Sequence, residues 1–123
     1  MAGTDYLKTF VVDAILDKIE NEGQYVAVGT GTTPPMPSDI SLENEVLRKE
    51  RQEYSREDAT GKIIISMWLS TLEANGYDLS EVGVFDSDMD GNMLSRDTFP
   101  PLTKTSDLEV WIDIEYDVEV SIE

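Results

Sequence analysis

The chain contains no cysteine and no histidine in its 123 residues. The first absence excludes disulfides and thiolate metal sites. The second removes the commonest general base and the commonest zinc ligand. Basic residues are also scarce, with nine Lys and Arg against 26 Asp and Glu, a formal net charge of -17. Binding to free nucleic acid is disfavoured, because no basic patch can neutralise phosphates. No apolar run approaches the roughly 20 residues of a membrane span. The N-terminus has no secretory pattern: Met1 to Asp5 is not basic, and Asp13, Asp17 and Lys18 interrupt Phe10 to Ile19. These absences predict a soluble, unexported protein with neither nucleic acid nor membrane as a partner.

What the chain has in excess is carboxylate. Such charge self-repels in dilute buffer and is screened in brine, where the Debye length falls to about 3 Å at 1 M salt. A halophilic source is the plainest expectation. A DNA mimic, whose carboxylates imitate phosphates to occupy a basic protein, is the competing one.

The strongest pattern runs from Leu108 to Ile122. Every even-numbered residue is apolar, and the odd ones are acidic apart from Trp111 and Ser121. A period of two predicts one long strand with a core face and an acidic face. Upstream, Thr4 to Asn21 reads as an amphipathic helix with Leu7, Phe10, Val11, Ala14, Ile15 and Ile19 as its stripe. Thr4 suits its N-cap, and Gly23 suits a left-handed C-terminal cap. The stripe must pack on the domain's own sheet or dock on another subunit.

Tyr25 to Val28 reads as a short strand, followed by a Pro- and Gly-rich loop over 29–38. Ser38 to Glu45 suggests a helical turn or two. Val46 to Tyr54 suggests one polar edge strand guarded by Arg48, Lys49 and Arg51. Lys62 to Leu72 is a strand with Ile63, Ile65, Met67 and Leu69 on one face, and with Ile64 and Trp68 on a second face that is covered or at an interface. Leu79 to Phe85 and Asn92 to Phe99 make a hairpin across Asp86 to Gly91, and Pro100-Pro101 is expected to break the chain. The whole is one domain, residues 1–123: a mainly β, antiparallel β-sandwich or curled sheet (24–122) with one N-terminal α-helix (4–21).

Chemistry-bearing motifs are few. Asp86-Ser-Asp88-Met-Asp90-Gly91 has the oxygen spacing of a calcium loop, and Asp97 falls at its twelfth position. The flanking β-rich segments are the wrong context, so an acidic hairpin turn is the alternative. Calcium is the one cofactor to weigh. Gly29-Thr-Gly-Thr-Thr lacks the Gly-Lys-Ser/Thr ending of a phosphate loop. Serines and threonines have no base to activate them, so no catalytic residue and no enzymatic activity are expected. Trp111, alone in the acidic face, is either a contact anchor or a covered patch with Trp68 beside it.

Three segments together resemble a known family: Tyr25-Val-Ala-Val-Gly-Thr-Gly-Thr-Thr-Pro-Pro with Ser38-Asp39 and Leu42 to Val46; Ala74-Asn-Gly-Tyr-Asp-Leu-Ser-Glu81-Val-Gly-Val-Phe-Asp86; and Thr98-Phe-Pro-Pro-Leu-Thr-Lys-Thr-Ser-Asp107. They are similar to small tail-fibre and baseplate-associated (tail-collar fibre-like) proteins of tailed viruses and proviruses, including those of halophilic archaea. The resemblance implies a structural virion protein. It would be a baseplate component or fibre-attachment adaptor, located in the virion tail and in host cytoplasm during assembly. Its partners would be other tail proteins and copies of itself, as a trimer or hexamer. It makes Glu81 and Asp86 framework residues. The expected interface comprises Leu7, Phe10, Val11 and Ile15 of the helix, Thr30, Thr32, Pro34, Pro35 and Met36 of the loop, and Trp111. A calcium-dependent receptor- or glycan-binding module at the tail tip and an acidic DNA mimic are the alternatives.

Overall fold

A computed structural model describes residues 3–121 of the protein. Helix α1 (Asp5–Glu22) begins where the Thr4 side chain accepts the Leu7 N–H at 3.2 Å. Seven strands follow: β1 (Tyr25–Gly29), β2 (Glu45–Glu50), β3 (Glu53–Glu57), β4 (Lys62–Leu69), β5 (Asp78–Phe85), β6 (Met93–Thr103) and β7 (Val110–Asp117). They form two antiparallel sheets, ordered β2-β1-β5-β6 and β3-β4-β7. The mainly β fold with one N-terminal helix is the architecture that the alternating patterns predict.

The sheets bury their apolar faces against each other. Val26, Val28, Val82 and Val84 of the first sheet meet Ile65, Met67 and Leu69 of the second, with Ile112 and Ile114 packed alongside. Alternation places each set on one face of its strand. A second cluster lies on the opposite face of the first sheet. There Ala27, Phe85 and the loop residue Leu42 pack together beneath the 30–44 segment. The first sheet is therefore covered on both sides, by the second sheet and by a loop.

Helix α1 turns a different face inward from the one its stripe suggests. Leu16 is fully buried, Ile19 joins the main core, and Val12 sits beside Gly61. Leu7, Phe10 and Ile15 remain exposed, as does Ala14. At 100° per residue the apolar positions cover two adjacent arcs, and only Val12–Leu16–Ile19 meets the sheet. Gly23 is not a left-handed cap: its φ is -83°. Space explains the glycine, since a Cβ there would lie 2.7 Å from Ile65 Cδ1 and 2.8 Å from the Ile19 carbonyl.

Other boundaries move for identifiable reasons. The predicted edge strand over 46–54 is two strands in different sheets, and the chain crosses between them at Arg51 and Gln52. Residues 38–44 form a turn and bends rather than a helix, and the Glu43 and Asn44 N–H groups are taken by a carboxylate as described below. The strand from Lys62 ends at Leu69 rather than Leu72. Pro100 and Pro101 lie inside β6 instead of ending it. The strand is an edge, and its pairing with β5 shifts register between Leu79 and Glu81, so no ladder bond is asked of the prolines. The last strand is shorter than the 108–122 alternation, and Ile122 lies outside the described residues.

Leu16→Ala is expected to destabilise the fold by about 2–5 kcal/mol through loss of packing and an unfilled cavity. Phe10→Ala, on the outward arc, is expected to change stability by only about 0.5 kcal/mol. Urea denaturation of both variants checks this, and equal losses would mean that the helix is rotated from the orientation described.

Candidate functional site

The most organised polar site surrounds Glu81. This residue interrupts the otherwise apolar or small run of β5, and its side chain is 0% exposed. It points to the face covered by the loop, as do Gly83 and Phe85. Oε2 accepts the Gly31 N–H at 2.7 Å and the Asn44 N–H at 2.8 Å. Oε1 accepts the Glu43 N–H at 2.9 Å and Arg96 Nε at 2.9 Å. Four donors thus saturate one carboxylate. Arg96 pairs across strands with Gly83, which places it diagonal to Glu81 on the same face. A Cβ at Gly83 would sit 2.8 Å from Leu42 Cδ2, so glycine leaves room for the loop.

The same loop is tied at further points. Arg96 Nη1 reaches Asp39 Oδ2 at 3.2 Å, and Asp39 also accepts the Met36 N–H at 2.9 Å. Glu43 accepts the Thr32 and Thr33 N–H groups at 2.9 and 3.1 Å, together with the Thr33 hydroxyl. Ser80 donates to the Gly31 carbonyl at 2.6 Å, and Asn44 Nδ2 donates to Thr30 Oγ1. Burial pushes the Glu81 carboxyl pKa up, but Arg96 and the three backbone N–H groups outweigh it, so the group lies below its ordinary value. The Thr33 hydroxyl and N–H, with the Thr32 N–H, lower Glu43 in the same direction. Of the loop residues expected at an interface, Thr30 and Thr32 belong to this internal lattice. Pro34, Pro35 and Met36 are exposed at its tip.

A second lock holds the β5–β6 turn. Arg48 lies flat over Phe85, 3.6 Å from the ring centroid. Its Nη1 donates to the Ser87 carbonyl at 3.0 Å and to the Asp90 carbonyl at 2.8 Å, and its Nη2 pairs with Glu45 at 2.7 Å. Asp86 accepts the Asn92 N–H at 2.8 Å and Asn92 Nδ2 at 3.0 Å, which holds its pKa down. Asp88 and Asp90 are exposed in the turn. Asp97 lies on β6 opposite Val82 and accepts the Thr98 N–H. The four aspartates considered for calcium therefore do not converge, and no group of three metal-ligating side chains occurs among the described residues. The turn carbonyls face a guanidinium.

A third lock was not legible in the sequence. Lys104 is fully buried, and its Nζ donates to Asn75 Oδ1 at 2.8 Å and to the Thr105 carbonyl at 3.0 Å. It binds the β6–β7 connection to the Asn75-Gly76 turn.

Two exposed apolar surfaces bear on the expected interface. One is the outward arc of α1, where Phe10 is 62% and Tyr6 81% exposed. The other is Trp111, 55% exposed on the outer face of the second sheet, with its ring centroid 6.3 Å from that of Trp68. The two tryptophans are register partners, and no further layer covers that face among the described residues. No helix among the described residues is long and apolar enough to cross a membrane. No protein-family model matches the chain, and no curated protein does so.

Glu81→Ala is expected to destabilise the protein by about 3–5 kcal/mol, because it leaves the buried Arg96 with only Asp39 as a carboxylate partner and strips three loop amides of their acceptor. It should also expose the Gly31, Glu43 and Asn44 amides to hydrogen exchange. A depressed native pKa contributes stability that is present above the unfolded value of about 4.3 and is lost as pH falls through the native value. Urea midpoints measured from neutral pH downward should thus fall less steeply in the variant than in the wild type. Parallel pH curves would show that Glu81 carries no such linkage.

Proposed function

We propose that this protein is a structural component of a viral tail, a baseplate or fibre-attachment adaptor that acts through protein–protein contacts. The observation that carries the reading is the outward arc of α1. Leu7, Phe10, Val11 and Ala14 recur at three- and four-residue spacing, the pattern of a helix that packs on a neighbouring helix. The domain's own sheet uses the adjacent arc; Leu7, Phe10 and Ala14 stay exposed, and Val11 is half-buried at the boundary between the two arcs. The occupant proposed for the arc is the same helix in adjoining copies of a trimeric or hexameric ring.

The polar site supports a scaffold rather than a catalyst. Both oxygens of the buried Glu81 are consumed by loop and Arg96 donors, which leaves no free carboxylate atom for acid or base work. The sequence resemblance to tail-fibre and baseplate-associated proteins supplies the viral setting. The acidic surface supplies solubility in brine.

Light scattering in about 1 M salt, where repulsion between copies is screened, is expected to give three or six times the 13.8 kDa chain mass. Phe10→Glu combined with Ile15→Glu should return the monomer without loss of fold. A wild-type monomer under those conditions would remove the ring, and immunolabel on virions found anywhere but the tail would remove the viral assignment.

A further inference from the structure

The second sheet ends at β7, which pairs with β4 along one side only. The Val118 N–H donates to the Gly61 carbonyl at 2.7 Å, which continues that ladder. Hydrogen-bonding groups alternate sides along an antiparallel strand. Val110, Ile112, Ile114 and Tyr116 therefore turn their backbone groups to β4. Trp111, Asp113, Glu115 and Asp117 turn theirs to the free edge. Neither proline nor lysine blunts this edge, and such devices are how natural sheets protect themselves.

Beneath the edge the sandwich is open. Leu79, Val82, Phe99, Leu102, Val110 and Ile112 line a cleft of about 410 Å³ between β7 and the β5–β6 pair. Asp97 and Asp113 stand on its rim. The cleft lining on β7 runs from Val110 to Asp113, and farther along the strand the Tyr116 hydroxyl meets Ser95 across the two sheets. The accessible stretch of edge is thus Val110 to Glu115, long enough for a short strand.

We propose that this edge accepts an extended segment of another polypeptide, with apolar residues at every second position and Lys or Arg between them. Added as the next strand of the second sheet, its apolar side chains enter the cleft. Its basic side chains lie on the outer face against Asp113 and Glu115, with one cation over the exposed Trp111 ring. Only Glu115 has a cation beside it, Lys62 at 3.6 Å; Asp113 accepts a hydrogen bond from the neutral Ser66 hydroxyl at 2.7 Å and keeps its charge unpaired. A second copy of the chain does not fit, because antiparallel β7–β7 pairing sets carboxylates against carboxylates, and like charges directly opposite are destabilising. The α1 arc and this edge are separate surfaces, so either proposal can fail alone.

The probe is a capped Lys-Val-Lys-Val-Lys-Val peptide added to the full chain, with Lys-Lys-Lys-Val-Val-Val as its composition-matched control. Tryptophan fluorescence follows binding, and amide exchange locates it. The alternating peptide is expected to bind at least about tenfold more tightly than the control, a difference of about 1.4 kcal/mol. It should protect the Trp111, Asp113 and Glu115 amides and shift tryptophan emission. N-methylation of its backbone, or Asp113→Lys with Glu115→Lys in the protein, should weaken it by a similar factor. Equal binding of the two peptides would reduce the effect to net charge and overturn the proposal. So would protection elsewhere in the chain, or protection of these amides in a peptide-free dimer.

Discussion

The structure depends on one buried ionic arrangement, Glu81 with Arg96 and three loop amides. The 30–44 segment contains three prolines and forms neither helix nor strand. Laid across a sheet without partners, its backbone groups would carry a desolvation cost of about 1–3 kcal/mol each. Glu81 supplies acceptors for Gly31, Glu43 and Asn44, and Arg96 neutralises the carboxylate and reaches on to Asp39. With the loop held, Leu42 can cover Phe85 and Ala27, and the first sheet acquires its second core. The exposed tip at Pro34, Pro35 and Met36 is presented by this internal lattice.

The few cations are spent on structure. Arg48 grips the β5–β6 turn, and Lys49 joins Glu73 and the Trp68 carbonyl. Arg51 holds the Glu20 and Gly23 carbonyls at the helix end. Arg56 gathers Asp17, Glu20 and Asp58, and Asp58 and Asp17 drive its guanidinium pKa still higher. Arg48 and Lys49 do lie on an edge strand, β2, but with Arg51 they are engaged in the fold rather than standing free along it. They link elements that are distant in sequence. Several of these links end on backbone carbonyls, whose short-range bonds are less sensitive to screening than attraction between exposed ions. The surface is left largely to the carboxylates, because Arg48, Lys49, Arg51, Arg56, Arg96 and Lys104 are engaged within the fold.

Strands were legible wherever one face is buried, because a period of two leaves a direct trace in β4 and β7. The helix was legible in extent but not in rotation. Its apolar residues exceed what one face needs, and sequence does not say which arc meets the sheet. Glu81 entered only as a framework residue of the family pattern. Its visible signal is an acid in the run Leu79 to Phe85, but with 26 acids one more draws little notice. Arg96 and Lys104 gave no signal, since their burial follows from register and from a loop path that no local pattern encodes. The split of 46–54 into two strands was hidden for the same reason: a change of sheet alters the partners, not the polarity.

The join between helix and sheet has a mechanical side. Only Gly23 and Gln24 separate α1 from β1, and β1 is hydrogen-bonded on both flanks, to β2 and to β5. Tension drawn along the helix passes into β1 and slides it lengthwise against two ladders at once. Hydrogen bonds loaded in that direction share the force, whereas bonds peeled from one end break in turn. Anything anchored through α1 would thus be moored to a strand tied on both flanks.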